Sequence, residues 1–139
     1  MTKYYLAYGS NLNLRQMMRR CPNARKVGSY MLKDWALEFR YYLTIRKEKG
    51  AEVPLGIFEI DERDERSLDR YEGYPTHYRK ETLEAELDGK RIKAIVYVMN
   101  PEIRGVMLPD MSYLRTCLEG YRDFGFDQAY LLKAYKEAE

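Results

Sequence analysis

Apolar positions along the chain recur in two periods, and the switches between them predict its elements. Lys3 to Tyr8 is a short aromatic and apolar run that stops at Gly9, which predicts a buried first strand. Asn11 or Asn13 can cap a helix through Leu14, Met17 and Met18 to about Arg20, before Pro22 halts it. From Arg25 to Tyr42 the pattern predicts one or two strands broken near Lys33-Asp34, with Trp35, Leu37 and Phe39 alternating. Arg46 to Glu52 is charged around Gly50 and is expected to be an exposed loop. Val53 to Ile60 then predicts another strand, with Pro54 near its start.

The second half alternates in the same way. Asp61 caps a helix through Arg66 and Leu68 to Tyr71, ended by Gly73. Tyr78 to Leu87 and Arg91 to Met99 are predicted strands, joined by the hairpin signal Asp88-Gly89. After a loop punctuated by Pro101 and Pro109, two helices are expected, about Asp110 to Asp123 and about Asp127 to Ala138. Five or six strands with few helices between them do not fit a doubly wound fold. They predict an α+β domain: a small mixed, mostly antiparallel β-barrel with flanking helices. No repeat or linker divides residues 1–139, so one domain is expected.

Composition narrows the class. Hydrophobic residues at 45% and charged residues at 33% fit a folded domain and not a disordered chain. The 24 basic and 22 acidic residues nearly cancel, so no strong field is available to capture nucleic acid or an anionic membrane. The basic residues from Arg15 to Lys26 are spread over a helix and a loop without stacking aromatics, which argues further against nucleic acid as a partner. Cys21, Cys117 and the single His77 have neither metal-site spacing nor a disulfide framework; no metal or cofactor is expected. The segment MTKYYLAYGSN does not fit a secretory signal, and the expected location is the cytoplasm. Tyrosine is over-represented, with 14 of 139 residues. It suits half-buried strands and polar pocket walls alike; Tyr4, Tyr41, Tyr42 and Tyr97 are taken as strand residues.

Two places carry candidate chemistry. Tyr8-Gly9-Ser10-Asn11 ends a strand and opens a helix, leaving backbone N–H groups free where negative charge is favoured. Such a loop can hold a carboxylate or a developing oxyanion, although ordinary turn and cap chemistry accounts for the same residues. It is neither a Walker loop nor a nucleophile elbow. Glu72 falls at the negative end of a helix dipole between Tyr71 and Tyr74, where partial burial would raise its pKa toward neutrality, as a general acid/base needs. An exposed helix-end carboxylate is the plain alternative. Asp69 and the cluster Asp61 to Arg66 are expected to be solvated, salt-laced surface. His77 is expected to be a loop residue.

In this order, YYLAYGSNL, PLGIFEI, LDRYEGYP and SYLRTCLEGYRDFGFD resemble the γ-glutamylcyclotransferase family, the AIG2-like and BtrG-like proteins. The resemblance covers about residues 3 to 127. It implies a small mixed barrel and a cyclisation in which the α-amine of a γ-glutamyl group attacks its own γ-carbonyl, giving 5-oxoproline and a released amine or amino acid. It also implies that Glu72 accepts and donates the proton, and that Tyr5, Leu6, Ala7, Tyr8, Gly9, Ser10 and Asn11 form the segment receiving the glutamyl moiety, with Tyr78 and Tyr113 lining the pocket. The partner is then a small-molecule γ-glutamyl compound, with monomer and homodimer both open. Arg46 to Val53 and Pro101 to Pro109 are expected to shape the leaving-group side. A non-catalytic module binding a glutamyl or carboxylate ligand in the same pocket is the alternative; a retained Glu72 argues against it, because an anion site gains nothing from a nearby carboxylate.

Overall fold

The first apolar run becomes the centre of the sheet. In the computed structural model, which describes residues 2–139, β1 (Lys3–Ala7) lies between β3 (Tyr42–Ile60) and β5 (Lys90–Met99). Tyr5, Leu6 and Ala7 are all buried, so both faces of β1 are covered, as a continuous apolar run requires. The strand order is β2-β3-β1-β5-β4, with β2 spanning Arg25–Arg40 and β4 spanning Tyr78–Leu87. Only the β1–β5 pair is parallel, at Tyr5 opposite Ile95; the other pairs are antiparallel. The α+β expectation is met, with one refinement. The sheet curls but is not closed by hydrogen bonds: its edge strands meet through side chains, with Leu87 Cδ1 2.7 Å from where a Cβ on Gly28 would stand.

Arg46 to Glu52 departs from expectation. It is strand, because β2 and β3 form one long hairpin from the Arg40–Tyr42 pair through Trp35–Lys47 to Arg25–Glu59. Between Lys33–Glu52 and Trp35–Lys47 the register shifts, and residues 48–51 bulge opposite Asp34. Gly50 N–H donates to Asp34 Oδ1 at 3.0 Å, and both residues adopt positive φ. A charged stretch around glycine signals exposure, but it cannot separate a bulged strand from a loop, because the pairing is made by the backbone. Trp35, Leu37 and Phe39 alternate inward as expected.

The helices start where their caps predict. Asn13 caps α1 (Leu14–Arg20), accepting from Gln16 N–H at 3.3 Å. Asp61 and Asp64 form a reciprocal capping box on α2 (Glu62–Glu72), and Gly73 ends that helix at φ 66°. Asp64 is therefore buried and satisfied, not part of a solvated face as the sequence suggested. Asp110 caps α3 (Met111–Phe124), and α4 (Ala129–Glu137) packs on β2 through rings such as Phe39 and Tyr135. Gly120 brings α3 onto the chain just before α1: a Cβ there would stand 2.6 Å from Asn13 N. Asn13 Nδ2 completes the clamp, donating to Thr116 O at 3.1 Å and Glu119 Oε2 at 2.8 Å. The segment leaving β1 is thus held from above by α3. None of the described helices is long and apolar enough to cross a membrane.

Candidate active site

β1 stops pairing after Ala7, and the chain turns at Gly9 into a short 3₁₀ turn, Ser10–Leu12. Gly9 takes φ −130° and ψ −126°, outside the usual strand and helix basins. A Cβ on it would lie 3.3 Å from Leu43 Cδ2 and 3.4 Å from the Tyr113 hydroxyl, so a side chain here would have to displace one of them by a few tenths of an ångström. Leu12 N–H and Asn13 N–H close the turn on Gly9 O and Ser10 O, at 3.0 Å each. The N–H groups of Ser10 and Asn11 donate to no protein acceptor among the described residues. That is the usual condition of a first helical turn, and it leaves donors available.

Beside this turn lies a cavity of about 510 Å³. Its wall brings together Tyr5, Tyr8, Gly9, Ser10 and Asn11 from the first strand and turn, Glu72 from the end of α2, Tyr78 from β4 and Tyr113 from α3. Leu6 and Ala7, expected with them, do not line it; they are packed in the core as part of β1. The turn and α2 are tied directly, with Ser10 Oγ 2.9 Å from the Tyr71 hydroxyl. Three of the tyrosines are fixed by backbone partners. Tyr8 donates to Tyr97 O at 2.6 Å, Tyr78 donates to Leu43 O at 2.9 Å, and Tyr113 accepts from Leu43 N–H at 3.1 Å. Such bonds orient rings whose hydroxyls would otherwise be costly to bury.

Glu72 is the ionisable group that the site perturbs most usefully. Its surface remains partly accessible through the cavity, yet packed protein surrounds the carboxyl, and this desolvation pushes its pKa up to about 8. The Arg20 guanidinium opposes the shift without cancelling it. No protein hydrogen bond reaches the Glu72 carboxyl among the described residues, so nothing but the distant arginine stabilises its charge. Arg20 is held in turn: it donates to Asn11 Oδ1 at 2.6 Å and Gln16 Oε1 at 2.8 Å, and stacks 3.6 Å over the Tyr71 ring. Asn11 then donates through Nδ2 to the Tyr5 hydroxyl at 2.9 Å. Burial raises the phenols of Tyr5, Tyr8, Tyr78 and Tyr113, so all four remain neutral near pH 7. Burial also pushes both thiols, Cys21 and Cys117, up to about 12. Neither is a thiolate nucleophile.

Several lining residues carried no signal in the sequence. Tyr97 and Tyr42, read as strand residues, also face the cavity, as do Tyr71, His77 and Met99. Tyr97 donates to Asp69 Oδ1 at 2.6 Å, and Asp69 also pairs with Lys80 at 3.1 Å. Asp69 is therefore a partner behind the site and not the solvated charge expected. From the segments expected on the leaving-group side, Ile103 and Arg104 line the cavity, and no residue of Arg46 to Val53 does. Its strand pairing holds that stretch against Leu32–Ala36 in the middle of the hairpin. Among the described residues, no three His, Cys, Asp or Glu side chains are grouped to hold a metal ion.

Residues 5–115 match the family model described as gamma-glutamyl cyclotransferase, AIG2-like. A protein of Methanocaldococcus jannaschii assigned by name to the γ-glutamylcyclotransferases is 31% identical over 70 residues, half of this chain and 58% of that protein's length. A solved structure described as a gamma-glutamyl cyclotransferase superposes with TM-score 0.83 at 24% identity, covering 96% of this chain and 86% of the other. The crystal structure of an uncharacterized Homo sapiens protein gives TM-score 0.84 with the same identity and coverage. At such identities the likeness is one of fold.

Proposed function

Because the chain belongs to the gamma-glutamyl cyclotransferase, AIG2-like family, we propose that it cyclises a γ-glutamyl compound to 5-oxoproline and releases the attached amine, with Glu72 as the general acid/base. The observation that carries this reading is a carboxyl whose pKa stands at about 8 on the wall of the cavity that the Gly9–Asn11 turn also lines. A group so poised can take a proton and return it near neutral pH.

The chemistry needs little else from the protein. The nucleophile and electrophile sit in one molecule, and closing a five-membered ring has a large proximity advantage. The ionised Glu72 accepts a proton from the substrate's α-ammonium, and the freed amine attacks the γ-carbonyl carbon. The tetrahedral oxyanion is stabilised by the unpaired N–H groups of the turn, an effect worth about 3–4 kcal/mol per donor in comparable sites. The bond to the leaving nitrogen then breaks as Glu72 returns its proton. The ring nitrogen loses two protons in all, and both end on the product amine, which departs as an ammonium. Neutral Tyr5, Tyr8, Tyr78 and Tyr113 would orient the glutamyl moiety as hydrogen-bonding walls.

The test is a panel of γ-glutamyl amines and amino acids assayed for 5-oxoproline. Glu72→Gln, which keeps the shape and removes the titration, should lower turnover by about 100-fold or more while preserving the circular dichroism spectrum. Equal rates for the two proteins would refute the role of Glu72. Tight binding of 5-oxoproline without turnover of any panel member would favour a binding module instead.

A further inference from the structure

Arg104 lines the cavity as a cation whose charge the protein does not neutralise. Neither it nor Arg70, a second arginine on the wall, takes part in an ion pair among the described residues. Arg104 is half-buried, which makes an unpaired charge more costly than on open surface. It is also held in place. Its guanidinium lies 5.7 Å from the Tyr41 ring centre and 5.8 Å from that of Tyr42, and Tyr42 packs edge-on against Tyr113 at 5.2 Å.

The backbone beneath it is pinned to the tip of the β2–β3 hairpin. Arg40 Nη1 donates to Arg104 O at 3.1 Å, Met107 N–H donates to Phe39 O at 3.0 Å, and Tyr41 N–H donates to Met107 O at 3.0 Å. A mobile surface arginine would need none of this support. The Tyr78 hydroxyl feels both Glu72 and Arg104, so the cation belongs to the same cavity as the carboxyl. Glu72 is mostly protonated at pH 7, which leaves the wall with a net positive character there.

We propose that Arg104 binds a carboxylate on the leaving group, so that the substrates are γ-glutamyl derivatives of amino acids and not γ-glutamyl amines that lack a carboxylate. The assignment rests on the γ-glutamyl reading above. A γ-glutamyl amine carries one carboxylate and one ammonium, both on the glutamyl moiety. A γ-glutamyl amino acid brings a second carboxylate, and a planar guanidinium matches that group with two parallel hydrogen bonds.

The experiment compares compounds that differ only in that carboxylate: γ-glutamylalanine with γ-glutamylethylamine, and γ-glutamylphenylalanine with γ-glutamylphenethylamine. The wild type should favour the amino-acid member of each pair by about tenfold or more in kcat/KM, the scale of one hydrogen bond to a charged group. Arg104→Met should bring the ratio close to one, chiefly through a higher KM for the amino-acid members, and Arg104→Lys should recover part of it. Comparable wild-type turnover within both pairs, or a preference that survives Arg104→Met, overturns this assignment and leaves the γ-glutamyl reading standing. Release of 5-oxoproline from none of the four compounds overturns that reading, and this assignment with it.

Discussion

At the scale of single residues, Glu72 shows how a common side chain acquires a special pKa. Its position at a helix end between Tyr71 and Tyr74 was legible in the sequence, and the partial burial expected there gave the upward direction of the shift. The extent was not legible, since desolvation depends on what α2 is packed against. With a pKa of about 8, only about a tenth of the carboxyl is ionised at pH 7, so its base form increases as pH rises through 8. If Glu72 is the base, kcat/KM for 5-oxoproline release should climb about tenfold for each pH unit below that value and level off above it. A profile measured from pH 5.5 to 9.5 checks this; a flat profile, or the same limb in Glu72→Gln, would assign the titration elsewhere. Arg20→Gln should move the limb upward, because Arg20 is the charge that holds the shift back. Arg20 itself was read only as one of several scattered basic residues. Its stack on Tyr71 exists only once α1 and α2 are side by side.

At the scale of elements, the caps and the β4–β5 hairpin were legible, and the pairing of β2 with β3 was not. Asp61, Gly73 and Asp110 act within a few residues of themselves, so local chemistry foretells their helices. Arg46 to Glu52 depends on β2 reaching across to it, and no local signal reports that. Gly120 is a second case, since its reason lies in another element. Within α3, alanine would be favoured over glycine by about 1 kcal/mol of helix propensity. A Cβ there, however, would stand 2.6 Å from Asn13 N and 2.7 Å from Leu12 C, both backbone atoms that cannot rotate away. Overpacking of this kind costs about 1–3 kcal/mol, so packing outweighs propensity and Gly120→Ala should destabilise the fold. Urea unfolding measures the change, and an unchanged or higher midpoint would show that α3 can shift. Because Leu12 and Asn13 continue the Gly9–Asn11 turn, the same variant should raise KM.

At the scale of the whole molecule, the cavity is made from segments far apart in sequence. Residues 5, 8–11, 72, 78 and 113 meet only because β1 lies in the middle of the sheet, α2 returns from β3, and α3 closes over the turn. Edge strands that meet through Gly28 and Leu87 continue the core around the curl. One cooperative unit is the expected consequence. Trp35 fluorescence, which reports on the middle of the β2–β3 hairpin beside its bulge, and far-ultraviolet circular dichroism should give the same thermal midpoint. Separated midpoints would mean that the hairpin unfolds independently of the site.

The sequence by itself determined what local physics can determine. Periodicity and punctuation specified β1, the caps of α2, the span of α3, the β4–β5 hairpin and an α+β class. The turn at Gly9 and the carboxyl at Glu72 were visible because glycine geometry and helix ends are local facts. Tertiary structure alone decided which tyrosines face the cavity, that Asp69 stands behind Tyr97, that Asp64 is buried, and that Arg104 remains unpaired on the wall. Each of those depends on a neighbour at least several residues, and often tens of residues, away. Burial and pairing are properties of contacts, and a side chain's type does not state which contacts it will make.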